Sequence, residues 1–308
     1  MTDIIIDCDP GHDDAIALLL ALASPEVRVL GVSTVAGNAA VDKTTANALR
    51  VLELAGRRHI PVARGAAAPL SRPHQAAEQV HGESGLDGPS PVEPAGAPVE
   101  GFAPDVLARW IERHGGPVTI VPTGPLTNIA LMLAHHPWVG EQIDRIVLMG
   151  GSIGLGNVTP AAEFNIWADP DAAARVFAAG LDVTMVGLDV THLTVLTPEH
   201  ARRLRPTGVV GSFVADLLDF FIARYEQILG TPVAPIHDAA AVAHVIAPGL
   251  IGTEHLNVEI EVTSELTRGR TVVDRWRVTA REPNAHVAVS VDADAFVDLL
   301  IGRLEGLG

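Results

Sequence analysis

The chain is poor in the residues that define several protein classes. It has one cysteine, Cys8, one lysine, Lys43, and one tyrosine, Tyr225. A single cysteine rules out an intrachain disulfide framework and fits a reducing compartment. A mechanism needing a lysine nucleophile or phosphate clamp has one candidate. Basic residues are few: 21 Lys plus Arg against 37 Asp plus Glu give a net charge of −16 over 308 residues. That balance argues against binding nucleic acid or an anionic membrane through a general basic face. Long apolar runs are missing as well. The one near the N-terminus, Ala15 to Ala23, is far short of the roughly 20 residues of a membrane span. Met1-Thr2-Asp3-Ile4 carries no basic stretch of the kind that opens a secretory signal. A soluble, cytoplasmic protein is expected.

Hydrophobic residues make up 48% and charged residues 19%, a globular rather than disordered balance. Ile4-Ile5-Ile6 is a β-branched run suited to a buried strand, and residues 13–23 are rich in the helix formers Ala and Leu. Val27–Val35 reads as strand, Ala39–Ala55 as helix, Val62-Ala63 as the start of a third strand. This β-α-β-α-β order predicts a parallel sheet covered by helices. Pro69 to Phe102 interrupts it with a Pro- and Gly-rich stretch holding Pro73, Pro89, Pro91, Pro94 and Pro98, a long loop of the functional kind. The alternation then resumes: helix 105–114, strand 118–121, helix 126–135, strand 146–149, helix 171–179, strand 183–186. Beyond residue 195 helix dominates, with candidates at 209–228, 238–246 and 293–304. Leu256–Val262 and Thr271–Val278 alternate as a hairpin pair. No repeat and no dividing linker is evident, so one α/β domain over 1–308 is expected.

The segment Asp7-Cys8-Asp9-Pro10-Gly11-His12-Asp13-Asp14 follows the first strand directly. In open α/β sheets ligands bind outside the carboxyl ends of strands, where this cluster would lie. Helix capping explains one or two of these acids, since the macrodipole favours negative charge in a first turn. Crowded carboxylates repel unless a cation neutralises them, and their oxygens suit Ca²⁺ or Mg²⁺. A metal site and a capped, solvated helix start are the two readings. An acidic pair after strand one also marks phosphoryl-transfer enzymes of the haloacid dehalogenase class. There a Thr usually follows the first Asp, and here Pro10-Gly11 follows Asp9; Lys43 is poorly placed as a phosphate clamp.

The string Asp7 to Ala15 resembles the signature of the inosine–uridine-preferring nucleoside hydrolases, and further blocks follow in order. They are Thr34-Val35-Ala36-Gly37-Asn38, His81-Gly82-Glu83-Ser84-Gly85 and Val121 to Asn128. Met149-Gly150-Gly151 with Asn157, Glu163-Phe164-Asn165-Ile166, and Ile236-His237-Asp238 complete the set. The last seventy residues carry little that matches. The resemblance implies an open, Rossmann-like α/β fold with a mostly parallel central sheet flanked by helices, and a small β-hairpin near the C-terminus. It implies hydrolysis of the N-glycosidic bond of ribonucleosides to ribose and free base, through an oxocarbenium-like state.

By the same resemblance one Ca²⁺ per subunit would be held by Asp9, Asp14, the Thr123 carbonyl and Asp238. Asp9 would also be the general base toward the Ca²⁺-bound water. Asp13, Asn38, Met149, Asn157, Glu163, Phe164 and Asn165 would surround the sugar. His237, titrating near neutral pH, would protonate the leaving base, with His81 and Tyr225 as base contacts. Asp169 and Asp171 around Pro170 read as helix caps, Asp189 and His192 as outer neighbours of the site. The segments 71–88 and 225–235 would order over the substrate. His81 and His237 together lean toward pyrimidine nucleosides such as uridine, or toward both base classes, with Trp276 left open as a pocket residue. A homotetramer or dimer is implied, with no nucleic-acid or membrane partner. A phosphatase, and a nucleoside- or sugar-binding protein without turnover, are the alternatives.

Overall fold

The computed structural model describes residues 1–90 and 93–307; Pro91 of the proline-rich stretch lies outside the described residues. The strands are β1 Thr2–Cys8, β2 Val27–Thr34, β3 Val62–Arg64, β4 Val118–Pro122, β5 Ile143–Met149, β6 Val183–Val186, β7 Val195–Leu196, β8 Ala234–Pro235, β9 Ile251–Leu256, β10 Val258–Ile260, β11 Thr271–Val273 and β12 Ala285–Val291. The helices are α1 His12–Ala23, α2 Val41–Leu54, α3 Glu78–His81, α4 Ala103–His114, α5 Thr127–His135 and α6 Phe164–Ala168. They continue with α7 Pro170–Phe177, α8 Leu188–Thr191, α9 Pro198–Leu204, α10 Val209–Leu229, α11 His237–Ile246 and α12 Ala293–Glu305.

Eight strands form one sheet in the order β3-β2-β1-β4-β5-β6-β12-β9. All neighbours pair parallel except β12 with β9. The chain winds outward from β1 to β3, then returns to place β4 on the other side of β1, with Ile5 opposite Ile120. Between β1 and β4 the order reverses, and the loops leaving their carboxyl ends diverge into a cleft.

The apolar run of β1 divides between two cores. Ile4, Ile6 and Cys8 join one cluster with α1, α10, α11 and α12, whereas Ile5 joins the other with α4, α5 and α7. This is the alternation of a strand buried on both faces, each large side chain contributing about 1.5–3 kcal/mol. α1 has Leu18, Leu19 and Leu20 all buried, because it is covered by the sheet, α11 and α12 at once. The row Ala239 to Ala241 on α11 is fully buried, its small side chains permitting close approach.

The expected elements before residue 195 are present. The hairpin is shorter than expected: β10 and β11 pair antiparallel from Val258–Val273 to Ile260–Thr271, and Leu256 belongs to β9. β9 and β12 join the main sheet, an extension that the helix-dominated reading of the C-terminal third omits. Their half-buried, mixed composition, with His255, Glu254, His286 and Ser290, hides them, since they are fixed by pairing with each other. The long proline-rich segment carries the short α3 and a single β-bridge from Val99 to Ala63, and is pinned at its start by Leu70 N–H donating to Asp169 Oδ2. Residues 225–229 are the last turns of α10 and not a loop. No helix among the described residues is long and apolar enough to cross a membrane.

Candidate active site

The acidic segment leaves β1 at the reversal point and enters α1 through Gly11. Gly11 N–H donates to Asp14 Oδ2 at 3.0 Å, so the first turn closes on its own carboxylate. Thr123, just past β4, donates its hydroxyl to Asp14 Oδ1 at 2.7 Å. α11 starts on the same rim and brings Asp238. One carboxylate oxygen from each of Asp13, Asp14 and Asp238 lies within 4.8 Å of the others. Two helix N-termini facing one point favour negative charge there.

Asp9 stands behind this rim. Its Oδ2 accepts the Asn38 N–H at 2.6 Å, while its Oδ1 is buried without a hydrogen-bond partner. Asn38 ties it to the cluster, donating Nδ2 to the Asp9 carbonyl and to Asp14 Oδ2, each at 3.2 Å. Gly37 and Gly124 press against the Asp9 carboxylate so closely that a Cβ at either would overlap it. Gly37→Ala is therefore expected to displace the carboxylate and lower kcat about 100-fold while the circular dichroism spectrum stays native. Steady-state turnover checks this, and a variant as active as the parent would refute the packing argument.

Burial pushes all four carboxyls up, with the charge of Asp14 adding to the rise at Asp9 and that of Asp13 at Asp238. Asp13 rises to about 7. Such crowding is the condition a divalent cation relieves. The donors are all oxygens, one of them a partnerless buried carboxylate, and so fit a hard cation of the Ca²⁺ type. Asp7, fourth of the acids in the segment, turns away. Its Oδ1 accepts Ser33 Oγ at 2.5 Å and Asn128 Nδ2 at 2.8 Å, and burial raises it to about 7.

The carboxylates border a cavity of about 330 Å³. Asp13, Asn38, Thr123 and Asp238 line it together with Met149, Asn157, Glu163, Phe164, Asn165, His81, Tyr225 and His237. Asp9 and Asp14 are fully buried behind the wall. Glu163 caps α6, accepting the N–H groups of Gly151, Asn165 and Ile166, against a burial that raises it to about 7. Asn165 donates Nδ2 to the carbonyls of Thr123 at 2.7 Å and Met149 at 3.2 Å. Asn157 Oδ1 accepts the Phe164 N–H at 2.9 Å.

His237 opens α11 with Nδ1 2.7 Å from Thr191 Oγ1 and Nε2 3.2 Å from Tyr225 OH. Burial pushes it down to about 3, so the imidazole is neutral at pH 7. The expectation that it titrates near neutrality is corrected by its desolvation. His192 stands edge-on to it at 5.4 Å and lines the cavity; Asp189 instead accepts the N–H groups of Ile153 and Gly154. Trp276 is 87% exposed and takes no part in the cavity wall. Asp169 caps α7 as expected, accepting the Ala172 N–H.

Phe221, Thr191 and His12 are among the residues of the site that escape the sequence reading. Phe221 lines the cavity; it stands one helical turn before Tyr225, and that i, i+4 spacing was the available signal. Thr191, which orients His237, gives no signal, because its role arises from a contact across 46 residues. His12, inside the acidic string, is hidden by its neighbours.

Fold and cavity define a class: an α/β enzyme with carboxylates gathered at the strand-reversal cleft and imidazoles lining the same cavity. No Lys or Arg is among the cavity-lining residues described, which leaves a phosphate ester without a cationic partner. The chain belongs to the inosine-uridine preferring nucleoside hydrolase family, whose sequence model matches residues 4–298. Membership makes it an N-glycosidase. It is 51% identical over 303 residues to the pyrimidine-specific ribonucleoside hydrolase RihA of Shewanella sp. strain ANA-3, covering 98% of this chain and 95% of that one. Among solved structures it resembles the purine-preferring ribonucleoside hydrolase from Gardnerella vaginalis, with a TM-score of 0.94 and 34% identity over 99% of both chains. It also resembles the plant nucleoside hydrolase PpNRh1, with a TM-score of 0.93 and 33% identity over 98% of both.

Proposed function

We propose that this protein cleaves pyrimidine ribonucleosides, uridine foremost, into ribose and free base, with one Ca²⁺ at the carboxylate cluster. The observation that carries the reading is the gathering of Asp13, Asp14 and Asp238 within 4.8 Å at the wall of a cavity that His237 also lines. Bound there, the cation supplies positive charge that makes water more acidic and orients sugar hydroxyls. Thr123, through its carbonyl, and Asp9 would complete its protein ligands.

Asp9 acts as the general base. The Asn38 N–H fixes one oxygen, leaving Oδ1 to take the proton from the attacking water. Asn38 and Asn165 spend their amide N–H groups on protein oxygens, so each offers its Oδ1 to a ribose hydroxyl. Asn157 spends its oxygen instead and offers Nδ2. As the glycosidic bond breaks, positive charge develops on the ribose ring, and Asp13 and Glu163 stand where they stabilise it. Met149 and Phe164 give the sugar its apolar wall. The neutral His237, between the hydroxyls of Thr191 and Tyr225, holds the Tyr225 hydroxyl in place to hydrogen-bond the departing base, which takes its proton from water, and Tyr225, Phe221 and His81 flank that base. We place the enzyme in the cytoplasm as a homo-oligomer, which its single free, buried thiol Cys8 suits.

The preference for pyrimidines rests on the relative with the higher identity; the purine-preferring neighbour is the more distant one. Ribose release from uridine, cytidine, inosine and adenosine tests it. Uridine is expected to exceed inosine by about tenfold or more in kcat/KM, a difference of about 1.4 kcal/mol in transition-state binding. Equal rates would refute the preference, and no ribose from any nucleoside by folded, calcium-replete protein would refute the activity.

A further inference from the structure

The C-terminal hairpin lies outside the ordered sequence blocks, yet it reaches the sugar-binding residues. β10 and β11 are held to the core through Val258 and Val273. The chain between them lies on α6, with the Arg268 guanidinium 5.8 Å from the centre of the Trp167 ring. Thr271, the first residue of β11, is buried. Its hydroxyl makes two bonds to one residue of the turn that leaves β5. The Ser152 N–H donates to Oγ1 at 2.9 Å, and Oγ1 donates to the Ser152 carbonyl at 2.5 Å.

That turn needs holding. It begins with two glycines, and Gly151 sits at φ +74°, a left-handed conformation that glycine adopts freely. So free a backbone does not aim its own N–H groups. The peptide between Gly151 and Ser152 is instead fixed from outside at both ends. Its carbonyl accepts the Leu188 N–H at 2.9 Å, and its N–H is the one held by Thr271. With that peptide fixed, the Gly151 N–H points at Glu163 Oε2, 2.9 Å away. The Glu163 carboxylate also accepts the N–H groups of Asn165 and Ile166, but these belong to α6 and move with it. The Gly151 bond registers the carboxylate against the end of β5.

We propose that Thr271 is a positioning residue for the hydrolysis: by clamping Ser152 it aims the Gly151 N–H and so holds the Glu163 carboxylate where positive charge develops on the ribose ring. The inference deepens the nucleoside hydrolase reading and rests on it for the charge that Glu163 faces. Thr271 itself does not line the cavity, so the hairpin takes part in the chemistry without touching substrate. A displaced carboxylate stabilises the charged transition state less, while the neutral sugar of the ground state loses little.

Two measurements on the full-length protein test it. Thr271→Val keeps the shape of the side chain and removes both bonds, whereas Thr271→Ser keeps the hydroxyl. With glycine labelled at its carbonyl carbon and its nitrogen, only the pairs Gly115-Gly116 and Gly150-Gly151 give a carbon-coupled amide, so NMR reads Gly151 directly. Gly116, which precedes β4 at the other end of the sheet, reports that the fold is kept. The Gly151 amide proton, bonded to a carboxylate, is expected to move upfield in Thr271→Val and to return in Thr271→Ser. An amide that stays in place in the valine variant would overturn the proposal whatever the activity. In steady-state kinetics on uridine, Thr271→Val is expected to lose about tenfold or more in kcat with KM within about twofold of the parent. Thr271→Ser is expected to recover most of that loss. In a Glu163→Gln background the valine substitution is expected to cost less than about threefold, because the charge it serves to place is gone. Equal losses in both backgrounds, or a serine variant no better than valine, would reduce Thr271 to a packing residue. Inactivity of the wild type on every nucleoside would refute the hydrolase reading, and the Gly151 amide would then decide the clamp alone.

Discussion

Asp9→Asn is expected to lower ribose release from uridine by on the order of 10³-fold, with the fold intact. The asparagine keeps the shape of the side chain and an oxygen to accept the Asn38 N–H, now made to Asp9 Oδ2 at 2.6 Å. It removes only the basicity. It also removes one charge from a buried group of four carboxyls, all pushed up by desolvation, with the charge of a neighbouring carboxylate adding to the rise at Asp9, Asp13 and Asp238. The metal-free variant is therefore expected to melt at a temperature equal to or above that of the metal-free wild type, because like-charge repulsion is relieved. Activity and stability then move in opposite directions, as at a site whose strain serves function. Calorimetry together with a reducing-sugar assay reads both. Activity within about tenfold of the wild type would remove Asp9 from the role of base.

Chelation is expected to abolish ribose release and to make stability depend on pH with a definite sign. The cluster carboxyls have native-state values above their unfolded ones, so the native state holds more protons, and stability falls as pH rises. For Asp13 the loss begins near its ordinary 3.8 and is complete above about 7. At about 1.4 kcal/mol per pH unit, its share over that window is at most about 4 kcal/mol. Metal-free protein should therefore melt several degrees higher at pH 5.5 than at pH 8. Millimolar Ca²⁺ should raise the pH 8 value most, since a cation binds the deprotonated cluster. Some slope should remain with the metal bound, because Asp7 and Glu163 also rise to about 7. A melting temperature that climbs with pH in the chelated protein would contradict the burial argument for the cluster.

The layered architecture and the local chemistry are legible in the order of residues alone. A β-branched run followed by an Ala- and Leu-rich stretch gives β1 and α1 with little help from the rest of the chain, because period and propensity agree. The order of strands and helices up to residue 186 follows in the same way. Local spacing also put Asp13 and Asp14 in the first turn of a helix, and made Asp169 a cap. The ordered blocks from Asp7 to Asp238 pointed to residues that line or adjoin one cavity. Relations across long stretches of chain emerge only from the folded molecule. The place of β12 and β9 at the sheet edge depends on their pairing with each other. The exclusion of Asp7 from the cluster depends on Ser33 and Asn128 capturing it, although Asp7 and Asp9 are two residues apart. The neutral state of His237 comes from desolvation by several elements at once, which no local window contains. Propensity and periodicity act over a few residues and can be read in order along the chain, whereas burial and proton placement are properties of an enclosed volume and exist only once the chain has closed around it.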